Sequence, residues 1–194
     1  MNQKTGITAV ILAGGKSSRM GADKGLVIFR GRRLVEYVLD AAAGVADQIL
    51  IVTSNPEYQL FGQRCVTDIY REKGPLGGIY TGLVNSTSSK NLVLGCDMPN
   101  LSIKLLKSLT AEIGNEEVLL TEHRGKPEPL CSVYDQACIT PVRQRLEQDQ
   151  LKITDALAGL KTRVISFDAE PWFRGNEFTN LNSPGELRDL DSSP

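Results

Sequence analysis

The apolar positions of this chain come in short blocks separated by small or polar residues. Ile7 to Leu12, Ile49 to Val52 and Leu92 to Leu94 are nearly unbroken apolar runs of strand length, as expected for strands covered on both faces. Cys65 to Thr67, Val118 to Thr121, Leu130 to Tyr134 and Val164 to Phe167 read as further strands. Between them the period changes. Leu34, Val35, Val38, Leu39 and Ala42 recur at helical spacing, and Gly44 stops the helix. Ser102 caps a helix whose expected core face is Ile103, Leu106 and Leu109. Tyr58 to Phe61 predicts a short helix, and Gly74 to Gly78 opens a small-residue helix over 79–84. Thr140-Pro141 starts another, since proline is tolerated in a first turn. Leu146, Leu157 and Leu160 carry an apolar stripe onward, and a closing helix is expected over 185–190.

Strands alternating with helices predict an α/β fold: three layers, α/β/α, around a mostly parallel, Rossmann-like sheet. The 194 residues fit one domain over the whole chain, with the few residues at either end least structured. In such sheets ligands bind outside the carboxyl ends of the strands. The segment 13–25, Asp68 and Asp97 each follow an expected strand, so one rim can gather them although they lie far apart in sequence.

Composition narrows the function. Hydrophobic residues are 41% and charged residues 23%, ordinary for a globular enzyme, and a net charge of −1 argues against a generally basic nucleic-acid binder. Positive charge is concentrated locally at Lys16, Arg19, Lys24, Arg30, Arg32 and Arg33. Cys65, Cys96, Cys131 and Cys138 form no C-x-x-C pair and His123 is the sole histidine, which speaks against a structural zinc site. The cysteines read as core residues of a reduced protein. His123 reads as a surface-loop residue, and Trp172 and Phe173 as a cover over one edge of the core. With no leader-like start and no apolar run of about 18 residues, no membrane span is expected, and the cytoplasm is the expected location.

The sharpest chemistry follows the first strand. Ala13-Gly14-Gly15-Lys16-Ser17-Ser18-Arg19-Met20-Gly21-Ala22-Asp23-Lys24-Gly25 mixes glycines, whose backbone N–H groups can approach an anion closely, with cations suited to phosphate. The spacing matches neither the P-loop nor the dinucleotide G-x-G-x-x-G pattern. Asp97, after the strand Leu92 to Leu94 and ahead of Met98-Pro99, is either a turn former or a hard oxygen ligand for Mg2+, which needs only one or two carboxylates beside a triphosphate. Asp68 is either a strand-end cap or a nucleotide contact.

The run Leu12-Ala13-Gly14-Gly15-x-Ser17-x-Arg19-Met20-Gly21-x-Asp23-Lys24 resembles the signature loop of small nucleotidylyltransferases, and most of all that of the molybdenum cofactor guanylyltransferases. Gly95-Cys96-Asp97-Met98-Pro99 is similar to their C-x-D-x-P metal motif, and Gly74-Pro75-Leu76-Gly77-Gly78 resembles their G-P-L-x-G segment, whose glycines either admit a ligand or pack a helix. The resemblance implies a fold of the nucleotide-diphospho-sugar-transferase type and Mg2+-dependent transfer of GMP from GTP to molybdenum-bound molybdopterin. It implies catalytic roles for Arg19, Lys24 and Asp97, with Asp97 as metal ligand. It implies GTP contacts from Leu12, Ala13, Gly14, Gly15, Lys24, Asp68 and Asp97, and acceptor contacts from Glu128, Asn180 and Asn182. It also points to other molybdenum-cofactor synthesis or acceptor proteins as partners. Where the family often has Asn after the second strand, this chain has Thr53, with Asn55 two residues on, and either can read the base. Ser183 stands where the family more often has Thr. The alternatives are a cytidylyltransferase for the same acceptor, a sugar-phosphate nucleotidylyltransferase, and a nucleotide-binding module without activity.

Overall fold

The structure, a computed structural model, describes residues 6–14 and 23–180. In its first half the chain forms β1 (Ile7–Leu12), β2 (Ile28–Phe29), β3 (Arg32–Arg33), α1 (Leu34–Ala43), β4 (Gln48–Val52), β5 (Arg64–Val66), α2 (Gly74–Asn85) and β6 (Lys90–Gly95). The second half forms α3 (Ile103–Ala111), β7 (Val118–His123), β8 (Lys126–Pro127), β9 (Cys131–Asp135), α4 (Ile139–Glu147), α5 (Ile153–Ala156) and β10 (Thr162–Ser166). The expected closing helix at 185–190 lies outside the described residues.

Among the described residues the main sheet has eight strands, in the order β10-β7-β9-β6-β1-β4-β5 with β8 added to β7, while β2 and β3 make a small hairpin. β1 pairs in parallel with both β4 and β6. β9 runs antiparallel to its two neighbours, β6 and β7. The reversal has a simple cause: too few residues separate β7 from β9 for the crossover that parallel neighbours need. The sheet is therefore mostly parallel, as expected, with a reversed strand inside it.

Side chains alternate across the sheet and build a core on each face. Ala9 and Ile11 of β1, Ile51 of β4 and Leu92 and Leu94 of β6 pack with Val35, Val38 and Ala42 of α1 and Leu105, Leu106 and Leu109 of α3. On the other face Val10, Leu50, Val52 and Val93 meet Leu76, Ile79 and Leu83 of α2 and Val142 and Leu146 of α4. Helices thus cover both faces of the sheet. No helix among the described residues is long and apolar enough to cross a membrane.

Three local expectations change. Ile103 is 43% exposed, and Leu105 takes its place in the core. As the first residue of α3, Ile103 lies off the buried stripe and instead covers Gly44, where an added Cβ would stand 2.9 Å from its Cγ2. α2 starts at Gly74 rather than after Gly78, with Pro75 in its first turn. α4 begins at Ile139, ahead of Thr140-Pro141, and the stripe from Leu146 to Leu160 is no single helix: α4 ends at Glu147, α5 spans Ile153–Ala156, and Leu157 and Leu160 follow it. Trp172 and Phe173 do pack against the first core, as expected.

Candidate active site

The central strands β1 and β6 end together, with Leu12 and Gly95 as register partners. From β1 the chain passes to β4 and β5 on one side, whereas β6 and the later strands lie on the other. The loops leaving β1 and β6 diverge there and open a crevice, the usual ligand position in an open parallel sheet. Ala13 N donates to Val52 O at 2.9 Å and Cys96 N to Leu12 O at 3.3 Å, so backbone from both strands forms the floor. Gly14 is exposed and lies over Thr53, whose Cα would be 3.9 Å from an added Cβ. Gly15, Lys16 and Arg19 lie outside the described residues.

The loop returns to the crevice at Asp23, which caps a short 3-10 turn, Lys24–Leu26. Asp23 Oδ1 accepts from Gly25 N at 3.3 Å and from the Tyr58 hydroxyl at 2.5 Å, and Oδ2 accepts from Asn55 Nδ2 at 3.3 Å. Gly25 is buried against Cys96: a Cβ there would come within 3.0 Å of Cys96 Sγ and would run into the Tyr58 hydroxyl. Lys24, between these two fixed neighbours, places Nζ 3.3 Å from Asp97 Oδ2. The pair is largely enclosed, with side-chain exposures of 26% for Lys24 and 14% for Asp97. Gly95 makes room for the carboxylate, since a Cβ at that position would sit 3.1 Å from Asp97 Oδ1. Burial pushes the neighbouring thiol of Cys96 and the phenol of Tyr58 upward, so both stay protonated near neutral pH.

Asp97 thus presents hard oxygens in a sheltered crevice next to one ammonium group. Among the described residues no three His, Cys, Asp or Glu side chains converge into a metal cage. A single carboxylate with room around one oxygen fits Mg2+, which completes its shell with phosphate oxygens and water, and does not fit zinc.

Of the remaining predicted residues, Asp68 follows β5, two strands from β1 on the same rim. Its Oδ1 is buried without a hydrogen-bond partner. Burial raises the Asp68 pKa, and a hydrogen bond with Thr81 pulls it the other way. Glu128 lies across β6 from this side: it begins the tight turn into β9, its carbonyl accepts from Cys131 N at 3.0 Å, and Leu130 O accepts from Gly95 N at 3.0 Å. Burial raises the Glu128 carboxyl, opposed by His123 and Lys126. Asn180 is half-buried at the end of the described residues, and Asn182 lies outside them.

Asn55 is committed inside the fold. Besides the bond to Asp23, its Oδ1 accepts from Glu57 N at 3.0 Å, and its own N–H is received by the buried Thr53 hydroxyl at 3.0 Å. Gly77 and Gly78 of α2 act as packing surface: an added Cβ would stand 3.1 Å from Leu12 Cδ2 at Gly78 and 2.9 Å from Tyr70 O at Gly77. His123 corrects the surface-loop expectation, because it ends β7 and its ring is mostly covered. Its Nδ1 is 2.5 Å from Asp168 Oδ1, while Arg124 N donates to Asp168 Oδ2 at 2.7 Å. The ring also packs edge-on against Phe173. Neither Tyr58 nor Asp168 carries a sequence signal for its role, since each acts on a partner more than thirty residues away.

A polar cleft of about 150 Å³, lined by Thr53, Asn55, Gln59 and Thr67 among others, opens beside Gly14 on this rim. A larger groove of about 390 Å³ lies at the amino ends of β1 and β4 and is lined by Thr8, Gln48, Arg64 and Asn85 among others. None of the candidate chemistry reaches that groove, so size does not locate the site.

The sequence matches the family described as MobA-like NTP transferase domain over residues 9–162. A Flavobacterium johnsoniae protein named "Probable molybdenum cofactor guanylyltransferase" is 35% identical over 186 residues, covering 95% of this chain and 96% of that protein. A Vibrio vulnificus protein named molybdenum cofactor guanylyltransferase is 31% identical over 191 residues, covering 96% of each. The crystal structure of molybdopterin-guanine dinucleotide biosynthesis protein A from Archaeoglobus fulgidus superposes with a TM-score of 0.80 at 23% identity, over 94% of this chain and 95% of that one. A CMP:2-keto-3-deoxy-manno-octonic acid synthetase complexed with CTP superposes with a TM-score of 0.71 at 15% identity, over 97% of each chain. These structural likenesses bear on the fold, which is that of the nucleotide-diphospho-sugar transferases.

Proposed function

Since the chain belongs to the MobA-like NTP transferase family and is a nucleotidyltransferase, we propose that it transfers GMP from GTP to the terminal phosphate of molybdenum-bound molybdopterin, with Mg2+ as cofactor. The observation that carries this reading is the sheltered Lys24–Asp97 pair at the carboxyl ends of β1 and β6. It provides one ammonium and one metal-binding carboxylate where a triphosphate would lie, and no enclosed nucleophile is needed.

The backbone of Leu12, Ala13, Gly14 and Gly15 holds the nucleotide, with the base toward the cleft beside Thr53 and Asp68 completing the contacts. Thr53 and Asn55 both line that cleft and are hydrogen-bonded to each other, so either of them, with the backbone, would read the base. An oxygen of the acceptor phosphate attacks the α-phosphorus in line. The new P–O bond forms as the bond to the bridging oxygen of the β-phosphate breaks, and pyrophosphate leaves with that electron pair. Lys24 and Arg19 offset the charge gathering on the phosphates. Asp97 would hold Mg2+, which when bound would supply further positive charge beside the phosphates. The work of the chain is positioning and fixed electrostatics. Glu128, Asn180 and Asn182 would contact the acceptor. The setting is the cytoplasm, and other proteins of molybdenum-cofactor synthesis deliver the acceptor or receive the product.

Calorimetry with GTP, CTP, UTP and ATP, in Mg2+ and again in EDTA, tests this. GTP should bind best and more weakly without metal. A preference for CTP would move the chain to a cytidylyl activity on the same acceptor, and a preference for UTP to sugar phosphates.

A further inference from the structure

The reading of Lys24 leaves open what fixes a lysine, the most flexible of cations, at one spot in the crevice. Lys24 follows Asp23, whose carboxylate accepts three hydrogen bonds: from its own turn at Gly25 N, from Asn55 Nδ2, and from the Tyr58 hydroxyl at 2.5 Å. The shortest is the one from Tyr58, which is fully buried. Tyr58 stands on a 3-10 turn, Pro56–Phe61, that leaves the carboxyl end of β4 and is itself capped by Asn55. Its ring packs against Phe61 at 5.9 Å between centroids, so the hydroxyl has a rigid base. On the other side of Lys24, Gly25 lies so close to the Tyr58 hydroxyl and Cys96 that no side chain fits there. Cys96 precedes Asp97. The main chain on both sides of Lys24 is therefore gripped by one phenol, and that grip is tied to the strand end that carries Asp97.

We propose that Tyr58 is a positioning residue for the transfer: through Asp23 it fixes where the Lys24 ammonium stands beside Asp97. It touches neither nucleotide nor acceptor. This rests on the catalytic reading of Lys24 given above. A free lysine would sample many rotamers, and a misplacement of about 1 Å near the reacting groups can lower a rate about a hundredfold. A buried tyrosine hydroxyl donating to a carboxylate limits that motion through a charge-assisted bond, which a bond to a neutral partner would do less well.

The test uses the full chain with GTP, Mg2+ and molybdenum-bound molybdopterin. Tyr58→Phe keeps the ring and removes the donor. It should lower kcat at least tenfold while KM for GTP changes less than about threefold, because loss of position acts on the transition state and leaves ground-state binding in place. Asp23→Asn should lower kcat as well. The double variant should be no slower than Asp23→Asn alone, since the two residues act in series. Asn55→Ala removes another donor to the same carboxylate and should also lower kcat at constant KM, which keeps the test decisive if Tyr58→Phe fails to fold. Wild-type kcat in folded Tyr58→Phe or Asn55→Ala, with Lys24→Met inactive, would overturn the positioning role alone. So would losses in Tyr58→Phe and Asp23→Asn that multiply in the double variant. Wild-type turnover in Lys24→Met would instead show that the reading of Lys24 has failed, and the positioning role with it.

Discussion

Asp97 is a short side chain with few protein contacts to spare, and its worth lies in where it stands. Lys24 Nζ is 3.3 Å from one of its oxygens, and the bare Cα of Gly95 frees space around the other. Replacing Asp97 with Ala should lower turnover by about a hundred- to a thousandfold, the loss typical of deleting one preorganised charge. The thermal midpoint should hold, as no core contact is removed; near-normal turnover would remove Asp97 from the mechanism. Asp68 behaves differently because its Oδ1 is buried without a partner. Its pKa is raised in the folded chain, so the unfolded chain gives up this proton first and stability falls as pH climbs from the ordinary Asp value, about 3.9, to the raised folded value. Above the folded value the penalty is constant. Asp68→Asn should therefore melt higher than the wild type at pH 7, with the gap closing below about pH 4, while binding GTP more weakly. The rim positions of Asp68 and Asp97 were legible in the sequence because each follows a short apolar strand, and Lys24 was singled out by the glycine-rich segment after β1. Asp23 was legible only as part of a motif. Its hydrogen bonds come from Asn55 and Tyr58 across the crevice, and no local pattern announces such a pairing.

Among the elements, α2 shows how closely this sheet is covered. Gly78 and Gly82 lie one turn apart on the face that meets β1. A Cβ would be 3.1 Å from Leu12 Cδ2 at Gly78, and at Gly82 it would collide with Val10 Cγ1. Val10 is fully buried and cannot swing away without disturbing the second core. Gly82→Ala should thus destabilise the fold by about 1–3 kcal/mol despite the better helix propensity of Ala, because overpacking outweighs it. Chemical denaturation would measure this, and a stabilised variant would mean that α2 stands further from β1 than described. Periodicity located most of the elements, since buried strands and amphipathic helices leave strong local patterns. It misplaced the start of α2 because glycine and proline read as loop until Pro75 is seen to occupy the first turn. It put Ile103 in the core with Leu106 and Leu109, which are buried, because spacing does not show that the first residue of α3 falls outside the covered stretch. The tight turn that makes β9 antiparallel became visible only with β7 and β9 side by side.

Across the whole molecule, strand order decides where chemistry can occur. With β4 and β5 on one side of β1 and β6 and β9 on the other, the loops after β1 and β6 part above the middle of the sheet. Under the proposed function, nucleotide contacts would fall on the β4–β5 side, at Thr53 and Asp68, and acceptor contacts on the side of Glu128, with the Lys24–Asp97 pair between them. A two-substrate transfer needs this layout, since both phosphates must meet over the same charges. A mostly parallel sheet with a site at its carboxyl rim followed from the alternation of strands and helices; the strand order did not. The cleft beside Thr53 did not, because its walls come from loops whose shape depends on distant partners. Single-turnover transfer decides whether the crevice serves a guanylyl transfer: the full chain, Mg2+ and molybdenum-bound molybdopterin, with GTP or CTP, following pyrophosphate and the dinucleotide product together. GTP should yield one pyrophosphate for each molybdopterin guanine dinucleotide formed, CTP little of either, and EDTA should stop both. Product from CTP in preference to GTP, or transfer that persists in EDTA, would contradict the account.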